Sequence, residues 1–277
     1  MRKPSSAGAS FGWFQLLLMA LSGFVLLFIV APLVSLYLNT SSADLASAAG
    51  DPEVLGSIWL TLWVSMAGTL VFAVGAIPLA YLLARKRFRF KGLVSGIVDL
   101  PIVIPHSAAG IALLGVIARN SALGRSVAFA GEALLGAKGW SLVCTPVAVA
   151  LAMAFVSVPF LVNAARDGFA AVSERLERVA MNLGASPARA FFTVALPLAW
   201  RPILSGLVLM WARGMSEFGA VVIVAYHPMI APVLIYERFA AFGLRYARPV
   251  AALFIVVCLV VFVLLRLLAG RERHAKA

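Results

Sequence analysis

Long apolar runs separated by short polar segments make up most of the chain. Six runs are long enough to cross a bilayer, because about 20 helical residues span roughly 30 Å of hydrocarbon. They cover residues 14–38, 56–84, 93–118, 141–164, 202–225 and 249–269. Backbone groups inside lipid must be satisfied within one segment, so these runs are predicted to be helices. The pattern predicts an all-α integral membrane protein with six transmembrane helices.

Composition agrees with this prediction and excludes several other classes of protein. Of 277 residues, 63% are hydrophobic and 12% are charged, whereas soluble domains average about 45–50% apolar and 25% charged residues. The apolar stretch from Phe11 to Leu38 is longer than the apolar core of a secretory signal, so it is predicted to be a retained first helix. Cys144 and Cys258 have no His or Cys at metal-ligand spacing, so no metal site is expected.

The net charge of +12 is explained by topology. Sixteen Lys and Arg residues lie at the two ends of the chain, in segment 85–91 and in loop 165–201, and six lie in the loops on the other side. Cations collect in cytoplasmic loops, so both termini, residues 1–13 and the tail 270–277, are predicted to be cytoplasmic. No nucleic-acid partner is expected.

Loop 165–201 is a polar interruption on the cytoplasmic side of this topology. Ser186 can cap a helix that has Pro187 at its first position. Gly184 fits the end of a preceding helix, where a positive φ is favoured. Pro197 and Pro202 are expected to end the second helix before the next span. The loop is predicted to form a helix, a tight turn and a short second helix.

The second helix carries an apolar stripe. Ala188, Phe191, Phe192 and Ala195 stand at i, i+3, i+4 and i+7. From the residues alone, two roles are open for this stripe. It can lie on the lipid surface, or it can dock in a groove of a partner protein.

The same loop resembles the EAA loop of ABC-transporter permeases with the type I importer fold. That motif reads E-A-A, three residues, G, nine residues, I, one residue, L-P. Spacing from Gly184 to Leu196 and Pro197 matches in full, with Val194 in place of Ile. The start departs from the motif, because Arg178 and Val179 replace Glu and Ala, with Glu177 one position earlier and Ala180 in register.

The resemblance implies that residues 56–269 form a permease core of five transmembrane helices that follows the first one. It implies a non-enzymatic translocating subunit, with ATP and Mg²⁺ bound by two separate cytoplasmic ABC ATPase subunits. Further implied partners are a second permease subunit in a homodimer and a periplasmic or lipid-anchored oxyanion-binding protein. The implied ATPase-coupling residues are Glu177, Ala180, Gly184, Ala185, Pro187, Ala188, Phe191, Phe192, Leu196 and Pro197.

Two further stretches resemble the oxyanion branch of these permeases. They are DLPIVIPHSAAGIALL at 99–114 and WARGMSEFGAVVIVAYHPMIAPVLIYERF at 211–239. The second is most similar to molybdate/tungstate members, which implies an importer in the cytoplasmic membrane of a prokaryote. The alternatives are an importer of sulfate or another oxyanion, and an ion-coupled secondary transporter that uses Glu217 and Asp99.

Charged residues inside two predicted spans are candidates for the substrate path. Arg213 lies about 18 Å along the helix from Arg201, near mid-membrane, where an isolated charge costs about 2.5–3.5 kcal/mol. Glu217 follows at i+4 and can pair with it. The pair can be structural, or Arg213 can receive an oxyanion on a path that also includes His106 and Ser216. In the third run, Pro101 and Pro105 are expected to kink or break the helix.

Overall fold

A computed structural model describes residues 12–135 and 140–271. These residues form thirteen α-helices and one π-helical turn, and no strand is found among them. The helices are α1 Trp13–Leu38, α2 Ser42–Gly50, α3 Pro52–Arg85, α4 Lys91–Val103, α5 His106–Ile117, α6 Ala122–Leu135, α7 Pro146–Ala171, α8 Glu174–Asn182, α9 Pro187–Ala190, α10 Leu196–Met215, α11 Gly219–Val224, α12 Ala231–Phe242 and α13 Leu244–Arg271. The π-helical turn, Phe191–Ala195, joins α9 to α10. The predicted all-α class is therefore confirmed.

Five helical segments are long and apolar enough to cross a membrane by themselves: α1, α3, α7, the continuous segment Pro187–Met215, and α13. Helices α4 and α5 pass the same test together but are bent by 114°. In this pair, Val98 of α4 packs in the cluster that contains Phe169, near the end of α7. Ile117 of α5 packs in the cluster that contains Ala148, near the start of α7. The bent pair therefore runs the length of α7, and we count it as a sixth crossing.

The break in the third crossing occurs at Pro105. Pro105 is the N-cap residue of α5, and Ile104 before it has an extended backbone, as a residue preceding proline prefers. The predicted break is thus confirmed at Pro105. Pro101 lies inside α4, which continues through it to Val103.

The fifth crossing differs from the single helix that its apolar run predicts. Helix α10 ends at Met215 and a second helix, α11, begins at Gly219. The prediction of one unbroken span over 202–225 is therefore wrong. The cause is Glu217, whose Oε1 accepts a hydrogen bond from the backbone N–H of Ala220 at 2.9 Å and so caps a new helix start.

Helix α7 is the centre of the bundle, with α3 and α10 packed closely against it. Gly168 of α7 faces Pro202 of α10, and a Cβ atom at Gly168 would lie 2.6 Å from the Cβ atom of Pro202. A Cβ atom at Gly206 of α10 would lie 2.9 Å from the Cβ atom of Ala164 in α7. Small residues at these two helix–helix contacts let the backbones approach each other, as is common where helices associate in a membrane.

The end of the bundle opposite loop 165–201 is held by an ion-pair cluster. Arg238 of α12 donates to Asp51 at 2.6 Å and to Glu53 at 3.0 Å, at the start of α3. Helix α1 lies beside the bundle, and its Tyr37 hydroxyl donates to the carbonyl oxygen of Ala252 in α13 at 2.9 Å.

Candidate docking loop and translocation path

Helix α8 ends in a tight turn at Gly184. The N–H of Gly184 donates to the carbonyl of Met181, and the N–H of Ala185 donates to that of Ala180, both at 3.0 Å. This pair of bonds is the Schellman motif, which places its last helical turn before a left-handed residue. Gly184 has φ +92°. The predicted positive φ is confirmed.

The segment after the turn begins as predicted and ends differently. The Ser186 hydroxyl accepts a hydrogen bond from the N–H of Arg189 at 3.2 Å, and Pro187 occupies the first turn of α9. The helix then continues to Met215 instead of ending. Pro197 lies in the first turn of α10, directly after the π-helical turn, and Pro202 lies inside α10. The prediction that the two prolines end a short helix is wrong. In a π-helical turn the hydrogen bonds run from i to i+5, and here the N–H of Leu196 bonds to Phe191.

Glu177 of α8 is buried against the end of α3. Its Oε1 atom accepts hydrogen bonds from Arg85 Nη2 at 2.6 Å and Arg85 Nε at 2.8 Å. Its Oε2 atom accepts one from the Tyr81 hydroxyl at 2.5 Å. The carboxylate therefore fastens the loop to the bundle. Sequence reasoning included Glu177 and missed both partners, which lie more than 90 positions earlier in the chain.

The predicted apolar stripe on the second helix is divided between two directions. Phe191 packs edge-on against Tyr81, with ring centroids 4.8 Å apart, and Ala195 is buried. Phe192 is 63% exposed and Ala188 is also exposed. The prediction of one free stripe is therefore wrong: Phe191 and Ala195, four residues apart, share a helix side that packs on the bundle, and Ala188 and Phe192 share an exposed side.

An exposed apolar face lies on α8 and its C-terminal turn. Leu176, Val179 and Leu183, at i, i+3 and i+7, are all exposed, and Leu183 is 84% exposed. We call this set, together with Phe192, the α8 face. Sequence reasoning missed it, although the period of apolar residues in LERVAMNL, residues 176–183, was visible. Of the other predicted coupling residues, Pro187 and Pro197 are exposed, and Ala180, Ala185 and Leu196 are half-buried.

A cluster of polar side chains lies where the third and fifth crossings break, and its members are Arg213, Glu217, His106 and Ser216. Glu217 is completely buried. Its Oε2 atom accepts a hydrogen bond from Arg213 Nη2 at 3.0 Å and lies 3.1 Å from His106 Nδ1. The predicted pairing of Arg213 with Glu217 is confirmed, and His106 joins it. A buried carboxylate is costly unless it is paired and hydrogen-bonded, and here both oxygens have partners.

The hydrogen bonds of His106 and Ser216 complete this cluster. Arg213 Nη2 lies 2.9 Å from His106 Nε2. Nη2 also lies 3.0 Å from His106 Nδ1, so the guanidinium faces both ring nitrogens. The exposed Ser216 hydroxyl accepts from Arg213 Nη1 at 3.2 Å. All four predicted path residues are therefore brought together.

Two glycines allow the broken crossings to meet at this point. A Cβ atom at Gly219 would lie 2.8 Å from His106 Cβ, and one at Gly110 would lie 2.9 Å from the carbonyl oxygen of Ala220. The starts of α5 and α11 are thus in direct contact beside Arg213. Glu217 sits behind the guanidinium, and Arg213 and His106 are both partly exposed on the open side. The Ser216 hydroxyl already donates to the Arg213 carbonyl at 3.0 Å, so the arrangement offers an anion the partly exposed Arg213 guanidinium at a helix break, with His106 beside it.

Comparison with known proteins agrees with this architecture. The chain matches the family described as binding-protein-dependent transport system inner membrane component over residues 76–274. The molybdate/tungstate transport system permease protein WtpB of Thermococcus kodakarensis is 43% identical over 255 residues, covering 91% of this chain and 95% of the relative. The WtpB protein of Pyrococcus abyssi is 41% identical over 257 residues, covering 92% and 95%.

A solved structure shares the fold at low sequence identity. It is a bacterial alginate ABC transporter in complex with alginate pentasaccharide-bound periplasmic protein. The present chain matches one chain of that structure with a TM-score of 0.71 at 16% identity. The match covers 95% of the present chain and 94% of the chain in that structure. The family match, the identity to permease proteins and this shared fold agree: the chain is a multi-pass membrane protein that belongs to the binding-protein-dependent inner membrane components, the permease subunits of ABC importers.

Proposed function

We propose that this permease moves molybdate or tungstate across the cytoplasmic membrane by alternating access, with energy from a separate ATPase. The observation that carries the proposal is the Arg213 guanidinium with His106 and Ser216 beside it, a cluster that we call the donor set after the guanidinium. A buried Glu217 holds it where two crossings break. Broken helices near mid-membrane are where transporters bind substrate. The names of the relatives supply the substrate, a tetrahedral oxyanion with a double negative charge.

The charge balance of this donor set suits passage more than tight binding. Glu217 neutralises the unit charge of Arg213, so an arriving dianion meets donors with little net positive charge. A transport site must bind well enough to admit its substrate and weakly enough to release it. Selection with high affinity is therefore assigned to the periplasmic or lipid-anchored oxyanion-binding protein that delivers the anion.

The exposed position of the donor set calls for a second subunit. Arg213 and Ser216 lie within a crossing and are accessible from outside a single chain. A guanidinium turned toward lipid costs about 2.5–3.5 kcal/mol. A second permease copy facing the first would enclose these groups in a water-filled path. We therefore place the path between two copies in a homodimer.

The α8 face is the proposed docking site of the ATPase subunits. It combines four exposed apolar side chains with the rigid attachment that Glu177 gives to α3. An apolar helix face of this kind inserts into a groove of a partner. The positive-inside rule puts this loop, both termini and the ATPase on the cytoplasmic side. ATP and Mg²⁺ would bind to the partner.

The proposed path is tested by uptake of labelled tungstate into proteoliposomes that contain the permease, its ATPase and its binding protein. We expect Arg213→Gln to reduce ATP-dependent uptake at least tenfold. Since this change leaves Glu217 buried without its cation, the double variant Arg213→Gln/Glu217→Gln removes both charges together. We expect the same loss in it, with normal assembly.

Arg125→Gln is the matched control, because Arg125 is exposed on α6. Its uptake should equal that of the unaltered transporter. Normal uptake by the assembled double variant would show that the pair is structural only. Sulfate is also a tetrahedral dianion, so uptake of molybdate, tungstate and sulfate is measured side by side to identify the transported oxyanion.

A further inference from the structure

Another polar contact between helices lies inside the membrane-spanning part and is not used by the proposed path. Asn163 of α7 donates from Nδ2 to Oδ1 of Asp99 in α4 at 2.6 Å. Both residues are half-buried. The sequence analysis named Asp99 only in the alternative of a secondary transporter and missed Asn163. The contact joins the first half of the bent crossing to the central helix.

Asp99 differs from Glu177 and Glu217 in its charge balance. Glu177 is bound by Arg85, and Glu217 is bound by Arg213. Within the described segments, no Lys, Arg or His side chain lies within ion-pair distance of Asp99. Its hydrogen-bond partner in these segments is the Asn163 amide, which carries no charge. Carboxylates inside membrane crossings almost always face the bundle interior or a water-filled cavity, and such a residue indicates function by default.

The depth of Asp99 places it between the donor set and the cationic end of the bundle. It lies about 12 Å along α4 from Lys91, at 1.5 Å per residue. The bend at Pro105 and the donor set follow in the direction of the opposite membrane face. Beyond Lys91 stands the cation-rich segment 85–91. An anion that leaves Arg213 for the cytoplasm therefore passes the level of Asp99 first.

We propose that Asp99 is a charge filter, held in place by Asn163, that keeps the resting path closed to oxyanions on the cytoplasmic side of Arg213. Charged side chains at a narrow point select by sign, and a carboxylate repels a dianion strongly where little water screens the charge. In a homodimer, this proposal places one Asp99 from each subunit beside the path. The filter opposes return of anions that the cations of segment 85–91 attract. This inference rests on the proposed oxyanion path.

The test is ATP-free efflux of labelled tungstate from preloaded proteoliposomes that hold the permease with its ATPase. Asp99→Asn removes the charge and keeps an oxygen that can accept from Asn163. We expect tungstate efflux to rise at least tenfold in this variant and to stay at the basal rate in Asp99→Glu. Efflux of mannitol, an uncharged solute, should remain unchanged in both. Asp99→Ser serves the same purpose if Asp99→Asn does not assemble.

The matched control is Asp167→Asn, since Asp167 is an exposed carboxylate one turn beyond Asn163. Its efflux should equal the basal rate. Basal tungstate efflux in the uncharged variants, equal leakage from Asp99→Glu, or a parallel rise for mannitol would each overturn the filter. The proposed function is judged separately, by ATP-dependent uptake in the unaltered transporter, so the failure of one is distinguishable from the failure of the other.

Discussion

Arg85 and Glu177 form a buried ion pair, 2.6 Å between Nη2 and Oε1, that joins the last residue of α3 to the middle of α8. Glu177 lies on the buried side of α8, whereas Leu176, Val179 and Leu183 of the α8 face are exposed. The pair fixes the proposed docking surface to the bundle at one point. Because both side chains are less than one-tenth exposed, its loss should be felt in stability and in coupling together.

Replacing Glu177 with Ala should destabilise the permease strongly. The change leaves Arg85 buried without its counter-charge, and breaking a buried pair in this way costs about 3–5 kcal/mol. Thermal unfolding in detergent should show a clearly lower midpoint. Glu174→Ala, three residues earlier on an exposed position of α8, is the control and should leave the midpoint within error. Equal midpoints for the two variants would contradict the assignment.

The two adjacent phenylalanines should have opposite phenotypes. Phe191→Ala removes contacts with Tyr81 and Phe169. Core Phe→Ala changes cost about 3–5 kcal/mol, and for this half-buried ring we expect about 2 kcal/mol. Phe192→Ala should leave the unfolding midpoint unchanged and weaken binding of the ATPase, measured by co-purification. A stability loss at Phe192 with normal ATPase binding would argue against the α8 face.

Gly184→Ala should be unfavourable for conformational reasons alone. At φ +92° a Cβ atom is strained even though no other atom lies within 4 Å of its position. We expect the free energy of unfolding to fall by about 1 kcal/mol or more. ATP-driven uptake should also fall, because an altered turn changes the direction of α8. Gly75→Ala, inside α3 and also in open space, is the control and should be neutral or stabilise by about 0.5–1 kcal/mol. Similar losses at both positions would contradict this explanation.

The ion-pair cluster at the opposite end predicts a dependence on pH. The hydrogen bond from Arg238 lowers the pKa of Asp51 below its usual value of 3.8, against the opposing effect of burial. A carboxyl with a lowered pKa in the folded state stabilises fully above its unfolded pKa and loses that contribution as the pH falls through its folded pKa. The contribution of the pair is therefore complete above about pH 5 and declines below about pH 4.

Arg238→Gln provides the measurement. The difference in unfolding midpoint between the unaltered protein and this variant should be constant from about pH 5 to 7 and should shrink below about pH 4. The exposed control Arg125→Gln should give no pH-dependent difference. A gap for Arg238→Gln that widens on acidification would reverse the predicted sign.

Local signals in the sequence were sufficient for the turn at Gly184 and for the pairing of Arg213 with Glu217. Both depend on residues close along the chain: a left-handed position after a helix, and two charges at i and i+4. The break before Pro105 was predictable for the same reason, since proline acts on its immediate neighbour. The apolar runs likewise indicated the crossings.

Features that depend on tertiary contacts were not predictable. Hydropathy averaged over 202–225 conceals the break at Ser216–Phe218, which exists because Glu217 caps Ala220 and reaches His106 across 111 positions. Phe191 is held inward by Tyr81 and Phe169, which lie on other helices. The partner of Glu177 lies on a different crossing. In each case a distant side chain decides the local backbone.

The segment Pro187–Met215 is helical throughout and includes the π-helical turn. At 1.5 Å per residue its 29 residues are about 44 Å long. One end adjoins the α8 face and the other carries Arg213, which Glu217 links to the starts of α5 and α11. On the proposed function, a tilt that the ATPase imposes near the α8 face passes along this one segment, through its π-helical turn and Pro202, to the far end. It is delivered to the guanidinium, so the donors that receive the anion turn with the stroke that releases it.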